Sequence, residues 1–85
     1  MLFTEMQDTL SDFAQETTAE AICIYYIRHN LMHNLLGSVK FLNNTDTCSR
    51  LIDLVYARNY NLEAVAILLR RIEELRTDAS KELIL

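Results

Sequence analysis

An all-α fold is predicted by three observations. Apolar residues recur every three to four positions along most of the chain, proline is absent, and a single glycine occurs in 85 residues. Sheets and loop-rich folds need turn residues, so this composition points to helices joined by short connections. The length suits one domain spanning residues 1–85. A chain this short must fill its interior efficiently or find a partner, and a hydrophobic content of 51% is enough for a core.

Four helices are expected. The first runs from about Thr4 to Gln15, with Phe3, Met6, Leu10 and Phe13 spaced by three and four. Thr4 followed by Gln7 fits a capping box, which would satisfy orphan backbone N–H groups. Thr17 followed by Glu20 repeats that signature and opens a longer second helix, about Thr18 to Leu42, ended by Asn43-Asn44-Thr45. Its core stripe is Ile24, Ile27 or the stem of Arg28, Leu31, Leu35, Val39 and Leu42, flanked by Tyr25, Met32 and Leu36. At about 1.5 Å per residue this helix would be about 37 Å long, the spine of the domain.

The third helix, roughly Asp46 to Arg58, is expected to bury Cys48, Leu51, Ile52 and Val55. Asn59-Tyr60-Asn61 makes the next turn, with Asn61 as N-cap and Glu63 in the first turn. The fourth helix, Leu62 to about Arg76, carries Leu62, Val65, Leu68, Leu69, Ile72 and Leu75. Residues 77–85 either continue it or fray. Short connections make sequential helices antiparallel, so the simplest packing is an antiparallel four-helix bundle.

Charge and cysteine content exclude several functions. A net charge of −4 argues against nucleic acid as partner, because phosphate binding needs concentrated Lys and Arg. Residues 1–20 hold five acids (Glu5, Asp8, Asp12, Glu16, Glu20) and no base, whereas 21–85 hold seven acids and eight bases. Two cysteines, Cys23 and Cys48, make neither a disulfide framework nor a metal set, and their apolar helical positions suit buried free thiols. A reduced, cytoplasmic setting is expected. The N-terminus lacks a signal-peptide pattern, and no apolar stretch approaches the ~18 residues of a membrane span.

The second expected helix carries the candidate site. On a wheel of about 100° per residue, His33 lies about 160° from Leu35, near the pole opposite the core stripe. Tyr26, His29, Gly37 and Lys40 fall on the same solvent-facing edge. Glycine inside a helix costs about 1 kcal/mol relative to alanine, and Gly37 is the chain's one glycine. It marks a kink or break before Ser38, or it bares the backbone so that a second protein can approach the His33 imidazole. A metal site built on the pair His29 and His33 would want a third ligand, and the strip offers no carboxylate or cysteine. A Ser or Cys nucleophile lacks the necessary base and orienting acid. An exposed imidazole acting as its own nucleophile needs only a partner that brings the electrophile; a merely solvated histidine needs nothing.

His33-Asn34-Leu35-Leu36-Gly37-Ser38 resembles the phosphorylated-histidine motif of histidine phosphotransfer (HPt) domains, whose usual form is His-x-Leu-Lys-Gly-Ser. Phe41-Leu42 occupies the place of that family's helix-ending apolar pair, and Cys48-Ser49-Arg50-Leu51 is similar to its Leu-Cys-x-x-Leu helix start. The run from Ala57 to Ala64 is similar to its Ala-Arg-x-Gly-Asp-x-x-Ala turn. Leu68 to Leu75 is similar to a closing helix that often reads Leu-Leu-x-x-Leu-Glu-x-x-Leu, with Ile72 for its third leucine and Leu75 one place before its last. The resemblance covers about 17–77. It departs at Leu36, where the family usually has a lysine beside the phosphoryl group; Lys40 and Arg28 are the substitutes at hand. Separately, Arg28-His29-Asn30-Leu31-Met32-His33-Asn34-Leu35 resembles the phosphoacceptor helix of sporulation-type histidine kinases, commonly Arg-His-Asp-x-x-Asn-His-Leu, which would make His29 the acceptor in an obligate dimer of hairpins.

The HPt resemblance implies a phosphorelay of two-component signalling, with a response-regulator receiver domain or histidine kinase as partner. His33 would carry the phosphoryl group, Gly37 would give clearance, Tyr26, His29 and Met32 or Leu36 would form the docking contact, and Lys40 would add charge. There is no Gly-rich loop or Walker lysine, so the chain should not phosphorylate itself and needs no cofactor of its own. The alternative expectation is a non-catalytic helical adaptor or regulator, including a degenerate HPt-like or homodimeric protein. Its support is the high apolar content, four tyrosines, Leu36 and the apolar end Leu83-Ile84-Leu85.

Overall fold

The computed structural model describes the backbone of residues 2–58 and 60–84 and the side chains of 15–58 and 60–81. Four α-helices follow in order: α1 (Leu2–Arg28), α2 (Met32–Ser38), α3 (Thr45–Arg58) and α4 (Leu62–Ile84), with a 3-10 turn, Val39–Phe41, after α2. Among the described residues there is no strand. The all-α expectation therefore holds, but two boundaries move.

The first correction is the break expected near Thr17, which is absent. Helix α1 runs straight through it. A Thr–Glu capping pair acts only where the backbone leaves the helix. Here Ala14, Gln15, Glu16, Ala19, Glu20 and Ala21 are strong helix formers with no Gly or Pro to stop them. The Thr4–Gln7 pair and the side chains of Phe3, Met6, Leu10 and Phe13 lie outside the described residues.

The second correction is the expected spine from Thr18 to Leu42, which is interrupted at residues 29–31. Asn30 adopts φ 54°, in the left-handed region. Around it the Leu31 N–H donates to the Tyr26 carbonyl (2.9 Å) and the Asn30 N–H to the Ile27 carbonyl (3.2 Å). That is the 6→1 and 5→2 pair of a Schellman ending, with asparagine at the position where glycine is commonest. Leu31, expected in the core stripe, is 38% exposed because it lies just past this helix end. The chain then turns back, and α2 packs against α1 rather than extending it.

The later elements are close to expectation. Asn44 Oδ1 accepts the Asp46 N–H at 2.8 Å and starts α3. Asn61 caps α4 as expected: its Oδ1 accepts the N–H groups of Glu63 (2.9 Å) and Ala64 (3.3 Å). Residues 77–84 continue α4 instead of fraying. Asn61 Nδ2 also donates to Asn30 Oδ1 at 3.3 Å, tying the two turns together at one end of the molecule.

Ala19, Cys23 and Ile27 of α1, Leu35 and Val39, Leu42, then Cys48, Leu51 and Val55 of α3 pack with Ala64, Val65, Leu68 and Ile72 of α4 in one core. Ile24, Met32, Ile52 and Leu75 are only partly buried at its edge. Leu62 and Leu69, expected inside, are exposed, since α4 turns a narrower stripe to the core than its run of leucines suggests.

Arg71 closes the structure opposite the asparagine-bridged turns. Its side chain, 12% exposed, donates from Nε to the Leu42 carbonyl (2.9 Å) and from Nη2 to the Lys40 carbonyl (3.1 Å) and Asn43 Oδ1 (3.2 Å). Nη1 pairs with Glu74 at 3.1 Å. Carbonyls at a helix end have no intrahelical donor, and a planar guanidinium supplies several at once. Glu16 of α1 holds the same segment by accepting the Asn43 N–H at 2.9 Å. Arg71→Lys should lower stability by about 2 kcal/mol, because an ammonium cannot reproduce the fork. Arg70→Met, on an exposed neighbour, should stay within about 0.5 kcal/mol of wild type. Equal urea midpoints for the two variants would refute the role given to Arg71.

Tyr60 is the other residue in the left-handed region, at φ 52°. A side chain there costs roughly 1–2 kcal/mol that glycine does not incur. Tyr60→Gly should therefore be about 1 kcal/mol more stable than Tyr60→Ala, which removes the same ring without relieving the backbone. Chemical denaturation of the pair measures the difference, and a less stable glycine variant would count against strain at this position.

Candidate functional site

The broken helix redistributes the expected strip. Tyr26 stays on α1, half-buried and packed against the core, while His29 falls in the turn after it. The His29 ring lies 4.3 Å from that of Tyr25, tilted by 40°. His33, Leu36 and Gly37 share α2, and Lys40 sits in the 3-10 turn. The five residues Tyr26, His29, His33, Gly37 and Lys40 thus do not line one edge of one helix, because Asn30 reverses the chain between the second and third of them.

Within α2 the smaller arrangement survives. His33 is exposed two residues before the fully buried Leu35, and Gly37 follows His33 by four residues on the exposed side. A Cβ built on Gly37 would meet nothing within 4 Å, and its φ is not positive. The protein's own packing therefore does not require glycine there. Leu36, which stands at the lysine position of the histidine phosphotransfer motif it resembles, is 51% exposed. The Lys40 ammonium lies 5.3 Å from the centre of the Phe41 ring.

Lys40 and Tyr26 also border a feature not legible in the sequence. An open groove of about 630 Å³ runs between α1 and the 3-10 turn, with Ala19, Ile22 and Tyr26 on one wall and Ser38, Lys40 and Phe41 on the other. In the sequence Phe41 reads only as part of a helix end. It is instead an exposed aromatic wall, placed there because the 3-10 turn buries its neighbours Val39 and Leu42 and turns Phe41 outward. Among the described residues no group of three or more His, Cys, Asp or Glu comes together as a metal site. Among the same residues no helix is long and apolar enough to cross a membrane.

Cys23 and Cys48 are both free and fully buried, as their positions suggested. Burial pushes the Cys23 thiol up to about 11, with the neighbouring Cys48, Glu16 and Glu20 adding to the effect. Burial also raises Cys48, opposed by the nearby Arg71 cation. The folded state thus holds thiol protons more tightly than the unfolded chain, so this contribution is full below pH 9 and is lost as pH rises from 9.0 towards about 11. A disulfide-exchange reagent at pH 8 should label neither thiol in native protein and both after unfolding. Rapid native labelling would show that the core opens locally.

Comparison with protein-family models, with curated proteins and with solved structures finds no match for this chain, so the functional reading rests on its own residues and geometry.

Proposed function

We propose that this protein is a phosphohistidine carrier, with His33 Nε2 accepting a phosphoryl group from the aspartate of one receiver domain and passing it to another. The observation that carries the reading is the pairing of an exposed His33 with Gly37 one turn later, at a position where a side chain would meet only open space. Gly37 is the second-last residue of α2, so it also suits the helix end before the 3-10 turn, and the open space at its Cβ leaves a partner room to approach the imidazole.

Two further features favour the likeness to histidine phosphotransfer domains. Tyr60 occupies the place of the glycine in that family's Ala-Arg-x-Gly-Asp turn, and its backbone adopts the left-handed conformation that glycine suits. The short connections and the Asn30–Asn61 bridge support an antiparallel arrangement of the four helices. His29 is the weaker acceptor, since its ring is engaged with Tyr25 in a helix-ending turn.

In the transfer, the Nε2 lone pair attacks the phosphorus of the receiver's aspartyl phosphate. The N–P bond forms as the P–O bond breaks, and the electron pair leaves with the aspartate carboxylate. This chain contributes position and an accessible nucleophile, and charge neutralisation at the transferring oxygens would come from the receiver with its own divalent cation. Leu36 offers apolar docking surface instead of a cation. The setting that suits two buried free thiols is the cytoplasm.

A second reading, a non-catalytic helical adaptor, is favoured by the exposed apolar side chains Ile22, Leu36 and Phe41. Incubation with phosphorylated receiver domains separates the two. The carrier should gain an acid-labile, base-stable phosphate that His33→Gln does not. Undiminished labelling of His33→Gln would move the acceptor to His29. Absence of label on wild type with a panel of receivers would leave the adaptor.

A further inference from the structure

Cys23 and Cys48 belong to different helices, are fully buried, and take no part in the relay chemistry. Bonds between α1 and α3 give their relative height. Glu16 accepts the Asn43 N–H just before α3, and Glu20, one turn further along α1, pairs with Arg50 at 2.9 Å, further along α3. The two helices therefore run the same way. Cys23, less than a turn past Glu20, falls beside the first half of α3, where Cys48 is buried.

The joint at this level is made of small buried residues, Ala19 and Cys23 on α1 with Thr47 and Cys48 on α3. How closely two helix axes approach depends on the side chains at the contact, and small ones bring them nearest. A disulfide needs Cα atoms roughly 4.4–6.8 Å apart, which such a joint favours. Burial, and after it the charge of Cys48 ahead of those of Glu16 and Glu20, opposes ionisation of Cys23, as expected of one thiol beside another. Among the described residues no third ligand turns the pair into a metal site. Any two small apolar residues would fill this joint, but only two thiols can also join it covalently.

We propose that Cys23 and Cys48 form a reversible redox switch, an intramolecular disulfide that ties α1 to α3 when the low-molecular-weight thiol pool becomes oxidising. The inference goes beyond the relay reading and does not depend on it. With oxidised glutathione as the oxidant, one cysteine loses its proton and attacks a glutathione sulfur, expelling one glutathione thiolate. The second cysteine, deprotonated in turn, attacks the protein sulfur of that mixed disulfide and expels the other. Two thiols and one oxidised glutathione thus become one protein disulfide and two reduced glutathiones. Because the thiols are buried, exchange proceeds only through openings of the core, so the switch responds slowly in both directions.

The test compares the two redox forms of the full chain. Oxidised glutathione acting on the chain in urea should give a monomeric disulfide form, from which trypsin releases residues 1–28 joined to 41–50. After refolding, this form should keep its helical circular dichroism and unfold at a higher urea concentration than the dithiol form, because a link that fits the fold restricts only the unfolded chain. In glutathione buffers approached from either form, the ratio of disulfide to dithiol should be roughly tenfold or more greater for folded protein than for protein in urea. Lost helicity, a urea midpoint equal to or below that of the dithiol form, or a ratio no greater in the folded state would each overturn the proposal. Phosphate labelling of His33 is a separate readout, so failure of the relay and failure of the switch are distinguishable.

Discussion

The guanidinium of Arg71 governs the half of the molecule in which the chain turns sharply twice. Between Ser38 and Thr45 the backbone leaves one helix, makes a 3-10 turn and enters another, leaving carbonyls without helical donors. Arg71 meets two of them and the Asn43 side chain from a single, nearly buried position on α4. Burying a charge is tolerable here because its hydrogen-bonding groups find acceptors and Glu74 balances it. Because α4 is long and rests on the shared core, the turn inherits its rigidity. Leu42 is fully buried and Phe41 exposed as a result, and the groove beside α1 has a fixed wall.

At the other end, asparagine takes the role that glycine plays in most proteins. Asn30 ends α1 in the left-handed conformation, Asn61 caps α4, and the two side chains meet. One residue type serves both jobs because its short amide tolerates a left-handed backbone and also accepts backbone N–H groups. This explains how a chain with one glycine and no proline folds into several helices. The glycine it does contain is the second-last residue of α2, beside the change to the 3-10 turn and without a positive φ. Tyr60 is the exception to the economy, a bulky residue held at φ 52° with its ring 4.9 Å from that of Tyr56.

The expected site was legible in part. Exposure of His33 and its spacing to Gly37 follow from local periodicity and persist. The extension of that edge to Tyr26 and His29 assumed an unbroken helix, and a wheel drawn through Asn30 cannot detect that the backbone there has changed hand. Arg71 was similarly invisible. In the sequence it is one of two adjacent arginines on an amphipathic helix, and only the turn packed above it distinguishes it from the exposed Arg70. The cysteines were easier, because small apolar positions on two helical stripes have few destinations other than the core.

Composition and periodicity by themselves determined the helical class, the approximate limits of α3, the cap and start of α4, and the buried positions Leu35, Leu42, Cys48, Leu51, Val55 and Leu68. These are local properties: a cap needs a side chain within three residues, and a stripe needs only a repeat near 3.6. Tertiary structure decided where the first long helix stops, which of Phe41 and Leu42 turns inward, and that Ile22 and Phe41 face each other across a groove. Those outcomes depend on contacts between residues tens of positions apart. The modest helix propensities of Thr17 and Asn30 neither force nor forbid a break, which leaves the choice to whichever backbone lets Ile27 and Leu35 share one core.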